Sequence, residues 1–244
     1  MAHANALLCM GCWQNLHLPV ALRGVASLPF RLVGLKPSRM NPNTCTFCEL
    51  AFTTIMRARN VTIDATVMFA DLRGYTSLTE SLPPDTMTAL LDLFYDACGD
   101  AIWEYDGILN KTIGDAVMAV FNFPIKHDDH AARAVMTARS LQAACRAKFA
   151  AFADEYGLGD RELGVGIGID SGMVKFGEFG RSHRDLTAIG TVVNTAARAQ
   201  SAAAAGKILV TKEVHDRSPS LSWEGSPSNY QLKGLSSPIT LYAA

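Results

Sequence analysis

Two apolar stretches on either side of a Gly-Asp pair constrain this chain most. They are residues 108–113 and 116–123, separated by Gly114-Asp115. Such a turn joins neighbouring strands, so the stretches pair as an antiparallel hairpin. An earlier strand over 61–72 alternates around Val61, Ile63, Val67 and Phe69 and ends at Asp71, with Gly74 in the polar turn that follows. Pro83-Pro84-Asp85 opens a helix. Its apolar residues Met87, Leu91, Phe94, Cys98, Ile102 and Tyr105 recur every three or four positions until Asp106-Gly107 stops it. An Ala-rich helix over 128–156 ends near Gly157. A strand over 163–169 has Gly164, Gly166 and Gly168 at alternate positions, which predicts another backbone or a ligand lying close against it. A strand over 174–179, a small-residue helix over 191–204, and short strands at 207–210, 230–232 and 239–242 complete the pattern. The order predicts an α+β layer, with helices on one face of a largely antiparallel sheet.

The 244 residues are enough for one large domain, or one domain with a small appendage. Hydrophobic residues at 49% supply a core, and 18% charged, against a usual ~25%, argues against extended disorder. A net charge of −1 gives no field to draw in nucleic acid. No apolar run approaches the ~18–20 residues of a membrane span, and the start lacks a basic opening segment. A cytoplasmic protein is expected.

Residues 1–60 differ from the rest. They contain four prolines, no long amphipathic period, and two C-x-x-C pairs, Cys9/Cys12 and Cys45/Cys48. They read as a loop-rich segment joined to a main domain, 61–244, by a polar connector over 56–60. Each pair can offer two thiolates from one tight turn, and four thiolates close a tetrahedral Zn²⁺ shell of structural type. Buried thiols without metal are the other reading. Cys98 and Cys145 fall within apolar helical patterns, and His127, His130 and His183 are read as surface histidines.

The chemistry-bearing residues sit beside strands. Asp71 and Asp115 each adjoin apolar strand residues. If their strands are neighbours, two hard oxygen ligands share one sheet edge and suit Mg²⁺ or Mn²⁺ together with substrate phosphates. The turn Leu72-Arg73-Gly74-Tyr75-Thr76 can turn backbone N–H groups toward an anion. Lys111 lies on the first hairpin strand, as a solvated residue or a donor to a base or phosphate. Asn194 and Arg198, four apart in a helix of small residues, share one face.

Three stretches together resemble the class III nucleotidyl cyclase catalytic domain: 67–76 (VMFADLRGYT), 111–119 (KTIGDAVMA) and 187–198 (TAIGTVVNTAAR). The resemblance spans roughly 61–244, and the Cys-bearing segment looks like one that precedes this domain in some bacterial cyclases. It implies a ferredoxin-like α+β core and sites shared across a head-to-tail homodimer. Asp71 and Asp115 match the family's two metal-binding aspartates, with the Leu72 carbonyl as a further ligand, and 72–76 matches the phosphate-holding loop. Lys111 and Thr187 match the base-reading positions in an adenine pattern, where guanylyl cyclases usually carry Glu and Cys. Asn194 and Arg198 match a transition-state pair supplied by the other protomer, and Lys233 matches a late triphosphate contact. The implied reaction closes ATP to 3′,5′-cyclic AMP with release of pyrophosphate, using two Mg²⁺ or Mn²⁺ ions. Thr191 departs from the Asp of many relatives, and Thr187 from the Asp of animal-type enzymes. A guanylyl cyclase, a catalytically silent nucleotide-binding or dimerisation module, and a zinc-ribbon interaction protein are the alternatives. The regulator is not legible.

Overall fold

The computed structural model describes residues 6–58, 60–159, 163–179, 185–234 and 237–244. The Cys-bearing segment contributes helices α1 (Met10–Leu16), α2 (Leu28–Leu32) and α3 (Thr46–Ala58). Then follow β1 (Val61–Arg73), α4 (Tyr75–Thr79), α5 (Pro84–Glu104), β2 (Ile108–Ile113), β3 (Ala116–Phe121), α6 (His130–Tyr156), β4 (Gly164–Phe179) and β5 (Asp185–Ile189). The chain closes with α7 (Thr191–Ala202), β6 (Ile208–Thr211), α8 (Lys212–Asp216), β7 (Glu224–Tyr230) and β8 (Ile239–Ala243). One sheet runs β2-β3-β1-β4-β6-β8-β7, with β5 paired to β4. Every pairing is antiparallel except β4 with β6. This is the expected α+β fold.

β1 is the central strand, and residues 65–70 are buried because both faces are covered. Met68, Ala70 and Leu72 point into a core with Leu90, Phe94 and Ile102 of α5 and Val135, Ala138 and Leu141 of α6. Ala65, Val67 and Phe69 point the other way, into a core with Val192 and Ala196 of α7. The helices therefore lie on both faces of the sheet, not on one as the element order suggested. Periodicity shows that a helix has an apolar stripe, but not which side of the sheet takes it.

The alternating glycines of β4 explain how α7 fits. Val165, Ile167 and Ile169 face α5 and α6, so Gly164, Gly166 and Gly168 face α7. A Cβ on Gly168 would stand 2.0 Å from the Gln200 amide nitrogen and 2.3 Å from the Ala196 carbonyl oxygen. One on Gly166 would stand 2.6 Å from the Ala203 oxygen. The close backbone that the sequence pattern predicts is the main chain of α7 at Gly168 and of the residues just after α7 at Gly166 and Gly164.

Several boundaries differ from expectation. The strands expected at 163–169 and 174–179 are one strand, β4, running unbroken through Asp170–Gly172. The late strand expected at 230–232 lies earlier, at Glu224–Tyr230, where almost every residue is exposed and no apolar alternation marks it. The connector expected over 56–60 is helical through its first residues: α3 seats Phe52 on Phe123, which in turn packs on Phe176 of β4. At the end of α5 the left-handed residue is Asp106 (φ 62°). Gly107 serves packing instead, since a Cβ there would meet the Phe121 ring at 2.6 Å.

Candidate active site at the β1–β3 edge

Asp71 has the face parity of Val67 and Phe69, so it lies on the α7 side of the sheet. It pairs in register with Ala116 of β3 and Gly166 of β4. The Leu72 amide donates to the Asp115 carbonyl at 3.0 Å, which fixes the hairpin turn beside the end of β1. The two carboxylates feel each other: burial, and then the charge on Asp115, push the Asp71 carboxyl above its ordinary range. Two partly buried acidic groups in mutual repulsion are the donor set a hard divalent cation relieves, so the residues present fit Mg²⁺ or Mn²⁺.

Arg73 lies two residues on, on the same face. Its Nη1 donates to Asp71 Oδ2 at 2.8 Å, its Nε to the Ala203 carbonyl at 3.0 Å, and its Nη2 to the Gln200 carbonyl. The guanidinium thus joins the acidic edge to the last turn of α7. Gly74 follows with φ 85°, a left-handed turn that L side chains rarely adopt, and passes the chain into α4, which begins Tyr75-Thr76. Among the phosphate-loop candidates, Leu72 is buried toward α5, Arg73, Gly74 and Tyr75 are half-buried, and Thr76 is exposed.

Lys111 pairs with Met118 across the hairpin, after a bulge at Leu109/Lys111. Met118 belongs to the α7-side core, so Lys111 shares the face of Asp71. Asn110 Nδ2 donates to the Leu186 carbonyl at 2.8 Å, which lays β2 against β5. Lys111 and Thr187 thus each sit one residue beyond the two ends of a single hydrogen bond, and both are half-buried. Asn194 and Arg198 are exposed on α7, whose sheet-facing residues are Val192, Ala196, Ala199 and Gln200. Within one chain they turn away from the sheet that carries Asp71. Lys233 is exposed just after Leu232, which is buried against Ala199 and Ala203. The fold therefore puts Asp71 and Lys111 on one face of β1–β3, with Asp115 in the hairpin turn beside the end of β1 and Thr187 beside β2, and leaves Asn194, Arg198 and Lys233 on an outward-facing side.

Two residues at this edge were not singled out by sequence reasoning. The Tyr95 hydroxyl, from α5, donates to the Gly114 carbonyl and holds the turn that carries Asp115. Gln200, 8% exposed, has a side-chain Nε2 with no hydrogen-bond partner among the described residues. Tyr95 sits in an ordinary amphipathic repeat, and nothing local separates it from a core aromatic.

The cysteine pairs meet. The Sγ atoms of Cys9, Cys12, Cys45 and Cys48 are buried and lie within 4.8 Å of one another. The Cys9–Cys48 and Cys12–Cys45 distances are 3.6 Å, and Cys12–Cys48 is 3.4 Å. Zinc–sulfur bonds of about 2.3 Å would space four sulfurs about 3.8 Å apart, so the set fits a single tetrahedral ion. A Cβ on Gly11 would stand 2.9 Å from Cys48 Sγ, so the first knuckle needs glycine there. The histidines differ from expectation: His130 is 4% exposed and bonded to Thr66, and His127 pairs with Asp106 at 3.0 Å. His183 lies outside the described residues. Among the described residues, no helix is long and apolar enough to cross a membrane.

Residues 58–242 match the family model of the adenylate and guanylate cyclase catalytic domain. An adenylate cyclase of Anabaena cylindrica is 32% identical over 188 residues, covering 72% of this chain and 36% of that protein. Adenylate cyclase 1 of Rhizobium meliloti is 29% identical over 140 residues, covering 55% of this chain and 20% of that protein. The chain thus spans about a third or less of these relatives. Among solved structures, the adenylyl cyclase CyaB from P. aeruginosa aligns with TM-score 0.67 and 27% identity, over 76% of this chain and 95% of that one. The guanylyl cyclase Cya2 aligns with TM-score 0.68 and 27% identity, over 75% and 92%. The chain belongs to the class III adenylyl and guanylyl cyclase catalytic domain family.

Proposed function

We propose that this chain is an adenylyl cyclase, converting ATP to 3′,5′-cyclic AMP and pyrophosphate for intracellular signalling at sites shared by two copies. The observation that carries this reading is the common face of Asp71 and Lys111, with Asp115 in the turn beside the end of β1, Thr187 beside β2, and Asn194 with Arg198 turned outward. A single chain has the metal-binding half and the transition-state half of a site on different surfaces. A head-to-tail pair brings the halves together.

In this reading Asp71 and Asp115 hold two Mg²⁺ or Mn²⁺ ions, with the Leu72 carbonyl as a further ligand. The ions supply acidification of the ribose 3′-hydroxyl and neutralisation of triphosphate charge. The turn 72–76 and Lys233 hold the phosphates. Lys111 donates to adenine N1, and the Thr187 hydroxyl, which both donates and accepts, meets the N6 edge. Guanine presents an N1–H donor at the same place and meets Lys111 badly. Asn194 of the second copy orients the ribose, and its Arg198 stabilises charge growing on the α-phosphate as the 3′-oxygen attacks.

The test is incubation of the purified chain with Mn²⁺ and ATP or GTP, with chromatography of the product. Cyclic AMP formed in preference to cyclic GMP supports the reading. Cyclic GMP as the main product makes the chain a guanylyl cyclase. No cyclic product, with nucleotide bound, makes it a silent module. Lys111→Glu with Thr187→Cys should swing the ATP/GTP ratio of kcat/KM toward GTP by about 10²-fold or more, since mispaired polar groups at a base edge are strongly discriminated against.

The cysteine cluster stands apart from this chemistry. Its reading as a structural Zn²⁺ site rests on the sulfur spacing, and four thiolates leave no open position for a substrate.

A further inference from the structure

The loop that delivers Cys45 also grips the main sheet. Asn41 and Asn43 are 0% and 5% exposed, although asparagine usually lies at the surface. Asn41 Nδ2 donates to the Gly107 carbonyl at 2.9 Å. Asn43 Nδ2 donates to Asp106 Oδ1 at 2.7 Å, and Trp103 Nε1 donates back to the Met40 carbonyl at 2.9 Å. Two of these bonds fall on the turn between α5 and β2 and the third on the last turn of α5, and Lys111 lies four residues beyond Gly107.

The same loop is tied to both cysteine knuckles. Asn43 accepts the Met10 amide through its carbonyl at 2.9 Å, and Cys45 follows two residues later. Cys9 Sγ accepts the backbone N–H of Cys45 at 3.2 Å and of Cys12 at 3.4 Å. Such bonds strengthen when the sulfur is a thiolate, the form in which it binds metal. On the far side, Gln14 exchanges hydrogen bonds with the backbone of Lys126 at 2.9 and 3.2 Å, beside the end of the same hairpin. Apart from Met40, Phe52 and Met56, which pack on the main domain, little apolar surface holds this segment beyond the cluster itself. Its core is the four cysteines with Val20 and Leu22, backed by Phe30, Leu35 and Phe52. A core so small needs a covalent or metal staple to keep its shape.

We propose that zinc at Cys9, Cys12, Cys45 and Cys48 is the clamp that fixes the α5–β2 turn, and with it the strand carrying Lys111. Loss of the ion then loosens the hairpin from outside the nucleotide site. This rests on the zinc reading of the cluster. The ion shapes the 41–45 loop, the loop positions Asn41 and Asn43, and the two amides hold a turn in which Asp106 takes a left-handed conformation.

The test uses the full chain. Metal analysis of the purified protein gives zinc content. Hydrogen exchange of the Gly107 amide, which bonds to the Ile102 carbonyl at 2.9 Å, gives the state of the turn. The expected result is one zinc per chain, and exchange at Gly107 at least about tenfold faster after the ion is withdrawn with a mercurial reagent and a chelator. Asn43→Ala should keep the zinc and still speed Gly107 exchange by about tenfold, the loss of one or two buried hydrogen bonds. If withdrawing zinc unfolds the whole chain, Asn43→Ala alone decides. Zinc present with Gly107 exchange unchanged in Asn43→Ala overturns the clamp and leaves the zinc reading standing. A chain without zinc, its four thiols free or paired as disulfides, overturns both, and unchanged Gly107 exchange after zinc is withdrawn from a chain that stays folded overturns the clamp.

Discussion

Arg73 Nη1 lies 2.8 Å from Asp71 Oδ2, and the same guanidinium donates to two carbonyls at the end of α7. One side chain thus ties an acidic group of the proposed metal site to the helix whose outer face carries Asn194 and Arg198. Alternation along β1 produces this, since residues 71 and 73 share a face and α7 lies against it. Removing Arg73 leaves Asp71 without its cation, takes the Arg73 donor from the Ala203 carbonyl, and leaves the Gln200 carbonyl with the Ala203 amide as donor. We expect Arg73→Ala to cost about 1–3 kcal/mol, for a pair that is partly exposed. The thermal midpoint should fall by roughly 3–10 °C, and calorimetry at neutral pH checks it. Arg73→Lys should rescue only part, because one ammonium cannot span three acceptors in a fork.

Gly168 tests the fit of α7 on β4. A methyl group there would stand 2.0 Å from a backbone nitrogen, which no rotamer can relieve. Gly168→Ala should force α7 off the sheet and destabilise the fold by about 3 kcal/mol or more. Gly234→Ala, where a Cβ meets nothing within 4 Å but φ is 83°, should cost only about 1–2 kcal/mol of backbone strain. Urea unfolding of the two variants separates a packing clash from conformational strain, and equal losses would contradict the close contact.

Arg198→Ala should reduce turnover by about 10²–10³ with little change in nucleotide affinity, as for loss of one preorganised donor. Asp71→Ala should abolish turnover. Mixing the two in equal amounts should recover about a quarter of wild-type activity, because random pairing makes half of the dimers mixed and each has one intact site of two. Cyclase assays on subunit-exchanged samples read this directly. Confirmed mixed dimers without recovery would mean that the sites are not shared.

His130 sets a pH dependence of stability. It is buried at the start of α6, with Nδ1 2.7 Å from Thr66 Oγ1 and Nε2 3.8 Å from Asp64 Oδ2. Arg217, Asp128 and Asp129 also act on it. Burial dominates and pushes its pKa below the ordinary value of 6.5. The unfolded chain therefore takes up a proton near pH 6.5 that the folded chain refuses until lower pH. Stability from this group is complete above pH 6.5 and is lost as pH falls from 6.5 toward the folded-state value. The thermal midpoint should decline over that window. His130→Asn should flatten the decline, and an equally steep fall in that variant would assign it to other groups.

The order of β1 to β4 and of α5, α6 and α7 was legible because each carries its own period and stop signals, whereas β5 and the helices of the segment read as loop-rich, α3 above all, were not. Both cysteine pairs, both aspartates, Lys111 and Thr187 were legible as members of short stretches with fixed spacing. The late edge strand Glu224–Tyr230 was not, because an exposed strand without apolar alternation resembles a loop. Continuity of β4 was not either, since Asp170, Ser171 and Gly172 read as a break. Asp170 and Ser171 are in fact buried, and Asp170 is bonded to Thr211 Oγ1 at 2.6 Å.

Sequence alone determined which residues could do chemistry here and which of the strongly periodic segments would be strand or helix, because local periodicity and residue type act over a few positions. Only the tertiary structure decided which face of the sheet each helix covers, and that Arg73 reaches α7. It also decided that Asn41 and Asn43 bind the cysteine loop to the α5–β2 turn. Those contacts join residues 63 to 130 positions apart, and no local pattern encodes a partner at that distance. Packing of the two cores against β1 selects it.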